Sequence, residues 1–218
     1  MSNTEFEKLL NACTDISSKF PEGVIYIGGI AIYLHSVNQE KTAPLAEFTH
    51  DADFYISIAD MSDLRDMEEV TPNRRLNKHQ LIKRGFEFDI YTERYSALIV
   101  PYDQVKAYSE KYDLISVACL EHLLVLKLEA LRDRINSSKG AKDIKDIFRI
   151  TLISSERKIK LNRNLIEAYI SDEHVNILKQ IEKSPEALSL AKGNAQMAKK
   201  IRQNYTSQLG FFFNLHYS

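Results

Sequence analysis

Cysteine, glycine and proline are all scarce in this chain, and tryptophan is absent. Among 218 residues there are 2 Cys, 7 Gly and 5 Pro. Cys13 and Cys119 lie far apart without further Cys or His at ligand spacing, which argues against a disulfide framework and a structural zinc site. The low Gly and Pro counts exclude collagen-like and low-complexity sequence. No run of 18 apolar residues could span a bilayer, so no membrane partner is expected.

The ends of the chain differ in charge. Residues 1–20 combine acidic side chains with amphipathic spacing, without the basic and apolar regions of an export signal, so a cytoplasmic location is predicted. The first 138 residues carry 22 acidic and 15 basic side chains, and the remainder carry 8 and 14. This asymmetry fits a metal-binding front and a surface for an anionic partner, but a solvated helical face would give the same count.

The apolar pattern predicts a sheet-containing first half and a helical second half, divided as domains 1–103 and 104–218. A helix over 3–19 precedes a strand at 24–27, two glycines and a second helix. Alternation predicts strands at 51–58 and 86–91, separated by a short helix at 61–70 and a basic connector at 71–84. Five helices are predicted after this half, at 120–135, 141–153, 163–170, 172–183 and 185–204.

Two carboxylates on one predicted strand are the most informative feature. Asp51 and Asp53 point to the same face, which is costly for like charges unless a cation lies between them. Asp89 on the next acidic strand adds a third carboxylate, and Glu87 on the same face is an alternative ligand. Mg²⁺ prefers such oxygen ligands together with substrate phosphates. Gly28-Gly29, entering a helix, would let backbone N–H groups approach a phosphate.

The order of these parts resembles the nucleotidyltransferase superfamily related to DNA polymerase β. The resemblance is carried by Gly28-Gly29, by the residues THDADF at 49–54 and by FDI at 88–90. The helical stretches at 120–134 and 139–147 are similar to bacterial toxin-type nucleotidyltransferases of abortive-infection and type IV toxin-antitoxin systems. Over residues 23–150, the resemblance implies an α/β (α+β) fold, with a mixed sheet and flanking helices followed by a helical domain that completes the cleft.

The resemblance also implies roles for the acids and glycines. Asp51 and Asp53 would hold two Mg²⁺ or Mn²⁺ ions that bridge the phosphates of an NTP donor. Asp89 would ligate the metal nearest the acceptor hydroxyl and help to remove its proton. Gly28 and Gly29 would cradle the phosphates through their backbone.

Lys127 lies inside an apolar helical stripe, where a lysine needs an anion. In the family a lysine at this place faces the triphosphate, so the resemblance implies that role, while a lysine snorkelling at the edge of the stripe is the alternative. Asp143 and Asp146 match the family's Lys-Asp-x-x-Asp pattern as neighbours of the nucleotide site. The pattern does not choose between them, and Lys142 with Asp146 also fits a simple surface pair.

The implied activity is transfer of an NMP from an NTP to an acceptor hydroxyl. The toxin resemblance implies tRNA or a protein as the acceptor and a cognate antitoxin as a partner. One departure is Ile30, where the family usually carries Ser or Thr after the glycines. A catalytically weak or inactive nucleotide-binding module, and an antibiotic nucleotidyltransferase of the lincosamide or aminoglycoside type, are therefore the alternatives.

Overall fold

The computed structural model of the protein describes residues 1–94 and 96–213. Its first helix, α1 (Asn3–Lys19), is capped at its N-terminus by Ser2. The Ser2 hydroxyl accepts the backbone N–H of Glu5, and the Glu5 carboxylate accepts the backbone N–H of Ser2 at 2.8 Å. This reciprocal pair satisfies N–H groups that have no partner within the helix, so the predicted helix starts where its sequence provides a cap.

A mixed sheet forms the first part of the structure. Its described strands are β1 (Val24–Ile27), β2 (Asp51–Ile56), β3 (Val70–Asn73), β4 (Lys78–Lys83), β5 (Phe86–Thr92), β6 (Glu110–Tyr112) and β7 (Ile115–Val117). They are ordered β3-β4-β5-β2-β1-β7-β6. β2 pairs with β5, and β1 with β7, in parallel; the other neighbours are antiparallel. The expectation of a mixed sheet with flanking helices is confirmed.

Strands β3 and β4 occupy the segment that the sequence predicted as a basic connector, so that prediction was wrong. His79 and Leu81 are buried on one side of β4, whereas Ile82 on the other side is exposed. A two-residue turn joins β4 to β5, with Arg84 at φ 54° and Gly85 at φ 83°. Such turns match the twist of a hairpin. Lys78 and Lys83 lie within β4 at positions that are not exposed, so the basic composition of the segment hid its alternation.

Three further helices accompany the sheet: α2 (Gly28–Val37), α3 (Ile58–Met67) and α4 (Tyr102–Ala107). The α3 helix begins three residues before the predicted start, because the Ser57 hydroxyl accepts the Asp60 N–H and caps it. All four residues of β1 are buried, as are Phe54 and Phe88 on the two strands that carry the acids. The acidic positions therefore lie on strands fixed by apolar burial.

The second part of the structure is helical. Its helices are α5 (Leu120–Arg134), α6 (Ser138–Glu156), α7 (Arg163–Glu167), α8 (Asp172–Glu182), α9 (Glu186–Leu190) and α10 (Ala195–Leu209). The single helix predicted for 185–204 is divided into α9 and α10. Lys192 and Gly193 have φ values of 51° and 84°, which end a right-handed helix, and Asn194 caps the next one.

The chain divides into two compact units. The first contains Met1–Leu34 and Glu47–Cys119, and the second contains His35–Ala46 and the chain from Leu120 onward. The division after Cys119 differs from the predicted boundary at residue 103, because β6 and β7 extend the sheet to Val117. Within the described ranges, none of the helices combines the length and apolar character needed to cross a bilayer.

Candidate active site

The predicted acidic residues lie on two neighbouring parallel strands of the first unit. In the register of β2 and β5, Asp53 is the partner of Asp89, and Asp51 is the partner of Glu87. Partners in adjacent strands present their side chains on the same face, about 4.8 Å apart at the backbone. The structure thus brings Asp53 and Asp89 together directly, while Asp51 lies one strand repeat away beside Glu87.

The first of the two adjacent glycines lies against Asp53. Antiparallel pairing sets Ile27, the last residue of β1, opposite Asp53, so the following glycine enters the acidic face. Gly28 has φ +63°, and a Cβ there would lie 2.5 Å from Asp53 Oδ2. A Cβ on Gly29 would lie 2.9 Å from Thr49 Oγ1. Only glycine fits at position 28, because the positive φ disfavours other residues and the Asp53 carboxylate occupies the space of a side chain.

Thr49 supplies the hydroxyl group at this turn. It is buried, and its Oγ1 donates to Asp51 Oδ1 at 2.7 Å. Ile30, by contrast, is fully buried. Its apolar side chain belongs to the core, and it leaves no hydroxyl after the glycines. Backbone N–H groups are then the candidate phosphate donors of the turn, and this role stays a prediction.

Lys78 and Gln80, which the sequence analysis did not assign to the site, contact Asp89 from β4. Lys78 Nζ donates to Asp89 Oδ2. Gln80 Nε2 donates to Asp89 Oδ1 at 3.2 Å and to Glu87 Oε1. The signal that could have found them is the alternation of Lys78, Gln80 and Ile82 against His79 and Leu81, which places the first three on one face.

The carboxylate oxygens on this face of the sheet are the type of ligand that a hard divalent cation prefers. Among residues 1–94 and 96–213, no group of three or more His, Cys, Asp or Glu side chains is close enough to hold a metal ion. Mg²⁺ needs fewer protein ligands than that, since one or two carboxylates, waters and substrate phosphates commonly complete its shell. Asp53, with Gly28 pressed against it and a second carboxylate alongside, meets this requirement.

The second unit contains a buried charge cluster around Lys127 on α5. Lys127 Nζ lies 2.8 Å from Asp143 Oδ1 and 2.7 Å from Asp146 Oδ2. Arg134 contacts Asp143 at 2.7 Å, and Arg149 contacts Asp146 at 2.6 Å. Both predicted aspartates therefore contact Lys127. Which of them neighbours a nucleotide stays a prediction.

These contacts hold the cluster in its charged form. Burial opposes the charge on Lys127, but the nearby Asp146 and Asp143 outweigh it and raise the pKa of the ammonium group above its ordinary value. Burial likewise opposes ionisation of Asp146, but Lys127 and Arg149 outweigh it and lower the pKa of that carboxyl. Three cations face two carboxylates, so the cluster carries a net positive charge. Its role toward a nucleotide stays a prediction.

Two buried titratable groups outside these clusters, Cys13 and His122, are held in their neutral forms. Burial raises the pKa of the Cys13 thiol to about 12. Burial also lowers the pKa of His122 to about 4. A thiol that stays protonated is a poor nucleophile. Covalent catalysis through Cys13 is therefore disfavoured.

Three solved structures share this architecture. A protein from H. pylori described as a candidate nucleotidyltransferase aligns over 100% of both chains with a TM-score of 0.52 and 14% identity. An antigenic nucleotidyltransferase-like protein from Paracoccidioides brasiliensis aligns over 88% of this chain and 94% of its own, with a TM-score of 0.51 and 16% identity. The fold is nucleotidyltransferase-like.

The Megavirus polyadenylate synthase aligns over 75% of this chain with a TM-score of 0.51 and 16% identity. The present chain spans 34% of the length of that protein. No protein-family model matches the sequence, and no curated protein matches it. At these identities the likeness is one of fold.

Proposed function

We propose that the protein is a metal-dependent nucleotidyltransferase, moving an NMP from an NTP to an acceptor hydroxyl. The observation that carries the proposal is the approach of Gly28 to Asp53, beside Asp89 on the neighbouring strand. A glycine turn for phosphates and a carboxylate pair for a cation are the two parts that this chemistry needs, and here they adjoin within one unit.

The donor phosphates would bind at the start of α2. The helix begins with two glycines, and the first backbone N–H groups of a helix have no partners within it, so these groups and the helix dipole would favour an anion there. Ile30 contributes no hydroxyl, so the phosphates depend on backbone donors alone. Thr49 holds Asp51 in position through its 2.7 Å hydrogen bond.

The carboxylates would organise the transfer itself. A bound divalent cation would neutralise phosphate charge and polarise the α-phosphoryl group. Asp51, Asp53 and Asp89 would hold two such ions, as the resemblance implies, and Asp89 would also help to remove the proton of the acceptor hydroxyl. The hydroxyl oxygen forms a bond to the α-phosphorus as the bond from that phosphorus to the bridging oxygen of the β-phosphate breaks. Pyrophosphate leaves with the electron pair of that bond.

Lys127 remains a proposed contact to the triphosphate, and this role rests on the family resemblance. Its charge is secured by Asp143 and Asp146, with Arg149 and Arg134 completing the cluster. A lysine held in the charged form would offset the negative charge that develops on the leaving pyrophosphate.

Labelling at two positions of the donor tests the proposal. The protein is incubated with Mg²⁺, a cell extract and each NTP in turn, carrying the label at the α- or γ-phosphate. Nucleotidyl transfer puts only the α-label onto the acceptor, whereas phosphoryl transfer would put the γ-label there. Asp53→Asn should abolish transfer. Asp63→Asn, an exposed acid on α3, is the matched control that should leave it intact.

The acceptor class and biological role extend the proposal. A tRNA or a protein is the proposed acceptor, in the cytoplasm, with growth inhibition relieved by a cognate antitoxin. Expression in a bacterial host should slow growth, and Asp53→Ala should restore it. Drug resistance without growth inhibition would favour the antibiotic-modifying alternative.

A nucleotide-binding module without transferase activity is the second candidate. It is favoured by the buried Ile30 and by the contacts that Lys78 and Gln80 make with Asp89. Calorimetric titration with each NTP and Mg²⁺ separates the two. Binding without pyrophosphate release in the presence of the extract would support the module.

A further inference from the structure

Both carboxylate oxygens of Asp89 are engaged by residues of β4. Lys78 Nζ donates to Oδ2, and Gln80 Nε2 donates to Oδ1 at 3.2 Å. The contact with Lys78 is shielded, since the two side chains are only 11% and 17% exposed. An ion pair with so little solvent contact is costly to break, because each separated charge would need a new partner.

The strand order sets the geometry of these charges. β5 lies between β4 and β2, so Asp89 stands between its contacts on β4 and Asp53 on β2. A cation held at Asp53 and Asp51 would have Asp89 between itself and the strand of Lys78. A second dication on Asp89 would have to displace the Lys78 ammonium and would face its repulsion at short range.

We propose that Lys78 is a fixed substitute for a second metal ion. Its ammonium supplies the positive charge that a second ion would bring to Asp89, so the acidic face binds one divalent cation, through Asp51 and Asp53. The inference rests on the proposed transferase function, and it changes the number of ions that the resemblance implies from two to one.

Lys78 would act here as a positioning residue. It and Gln80 fix both ends of the Asp89 carboxylate, and Gln80 also ties Glu87 through the same amide. This arrangement holds the Asp89 carboxylate in place without requiring it to be a metal ligand. Glu87, the alternative ligand in the sequence analysis, is held in the same way.

Counting bound Mn²⁺ ions tests the inference without any measurement of activity. The full-length protein is titrated with Mn²⁺ in the absence of nucleotide, and free Mn²⁺ is read from its electron paramagnetic resonance signal. The expected count is one ion per chain. Asp53→Asn should weaken its binding by about tenfold or more. Asp89→Asn should leave the count at one.

Two substitutions at position 78 complete the test. Lys78→Met removes the ammonium but keeps a similar apolar stem, so it should expose Asp89 and raise the count to two. Lys78→Arg keeps the charge and should leave the count at one. Circular dichroism establishes that each variant is folded, and Asp89→Asn carries the test alone if Lys78→Met does not fold.

The outcomes separate this inference from the proposed function. Two ions on the unaltered protein, with one lost in Asp89→Asn, would overturn the role of Lys78 while leaving a metal-dependent transferase intact. A folded Lys78→Met that still binds one ion would also overturn it. Binding unaffected by Asp53→Asn would refute the metal site on which the proposed function itself depends.

Discussion

Replacing Gly28 with alanine tests whether the glycine turn meets the acidic face. At φ +63° an alanine would pay about 1–2 kcal/mol for a left-handed conformation. Its Cβ would also lie 2.5 Å from Asp53 Oδ2 and 3.3 Å from Asp53 Cγ, so the carboxylate must move. Overpacking of this kind typically adds about 1–3 kcal/mol.

A matched control separates the two contributions. Gly85 also has a positive φ, +83°, but a Cβ there would meet nothing within 4 Å. Gly85→Ala should therefore cost only the conformational part, offset by about 0.4–1 kcal/mol from a less flexible unfolded chain. The net expectation is a loss of about 1 kcal/mol for Gly85→Ala and about 2–4 kcal/mol for Gly28→Ala.

Urea unfolding monitored by circular dichroism gives the free energies, and Mn²⁺ titration gives the effect on the site. Gly28→Ala should weaken ion binding because Asp53 is displaced, whereas Gly85→Ala should not. The reasoning is refuted if Gly28→Ala is as stable as Gly85→Ala and binds Mn²⁺ normally. In that case the glycine does not press on Asp53.

Three further predictions concern buried groups. Lys127→Met leaves two buried carboxylates without this partner and should cost about 3–5 kcal/mol in urea unfolding, against about 0.5 kcal/mol or less for the exposed Lys199→Met; a loss below 1 kcal/mol would contradict the ion pairs. The lowered pKa of Asp146 contributes stability above the pKa of the unfolded chain that is lost as pH falls through the folded pKa, so the unfolding free energy should drop below about pH 4, and less steeply in Asp146→Asn. Equal slopes would show that another carboxyl is responsible. Cys13 and Cys119 are both buried, so neither should react with Ellman's reagent in the native protein, and both should react in guanidinium; rapid native labelling would show that the fold opens there.

The acids and the glycine turn were predictable because they depend on local periodicity. Alternation along 51–58 and 86–91 places Asp51, Asp53 and Asp89 on definite faces, and two adjacent glycines after a β-branched run indicate a turn. The faces on which these residues lie can therefore be predicted from short segments. Their assembly into one site cannot, since it depends on which strands pair.

Lys78 and Gln80 show what periodicity missed. Five basic side chains within 74–84 suggested a solvated connector, and no pattern within that segment indicates that it pairs with β5. Once β4 is paired, its register sets Gln80 opposite Asp89 and brings Lys78 to the same carboxylate. The same holds for Lys127. The sequence predicted its place in an apolar helical stripe, but its partners Asp143 and Asp146 lie on a separate helix, α6.

The amino-acid sequence by itself determined the acidic strands, the glycine turn and the helical second half, because hydrophobic period and backbone preference act over a few residues. Only the tertiary structure decided that Asp53 neighbours Asp89, that Gly28 closes on Asp53, and that Lys78 neutralises Asp89. Strand order and register depend on which strands pair and which side chains this pairing buries, which is a property of the folded chain and not of any one segment.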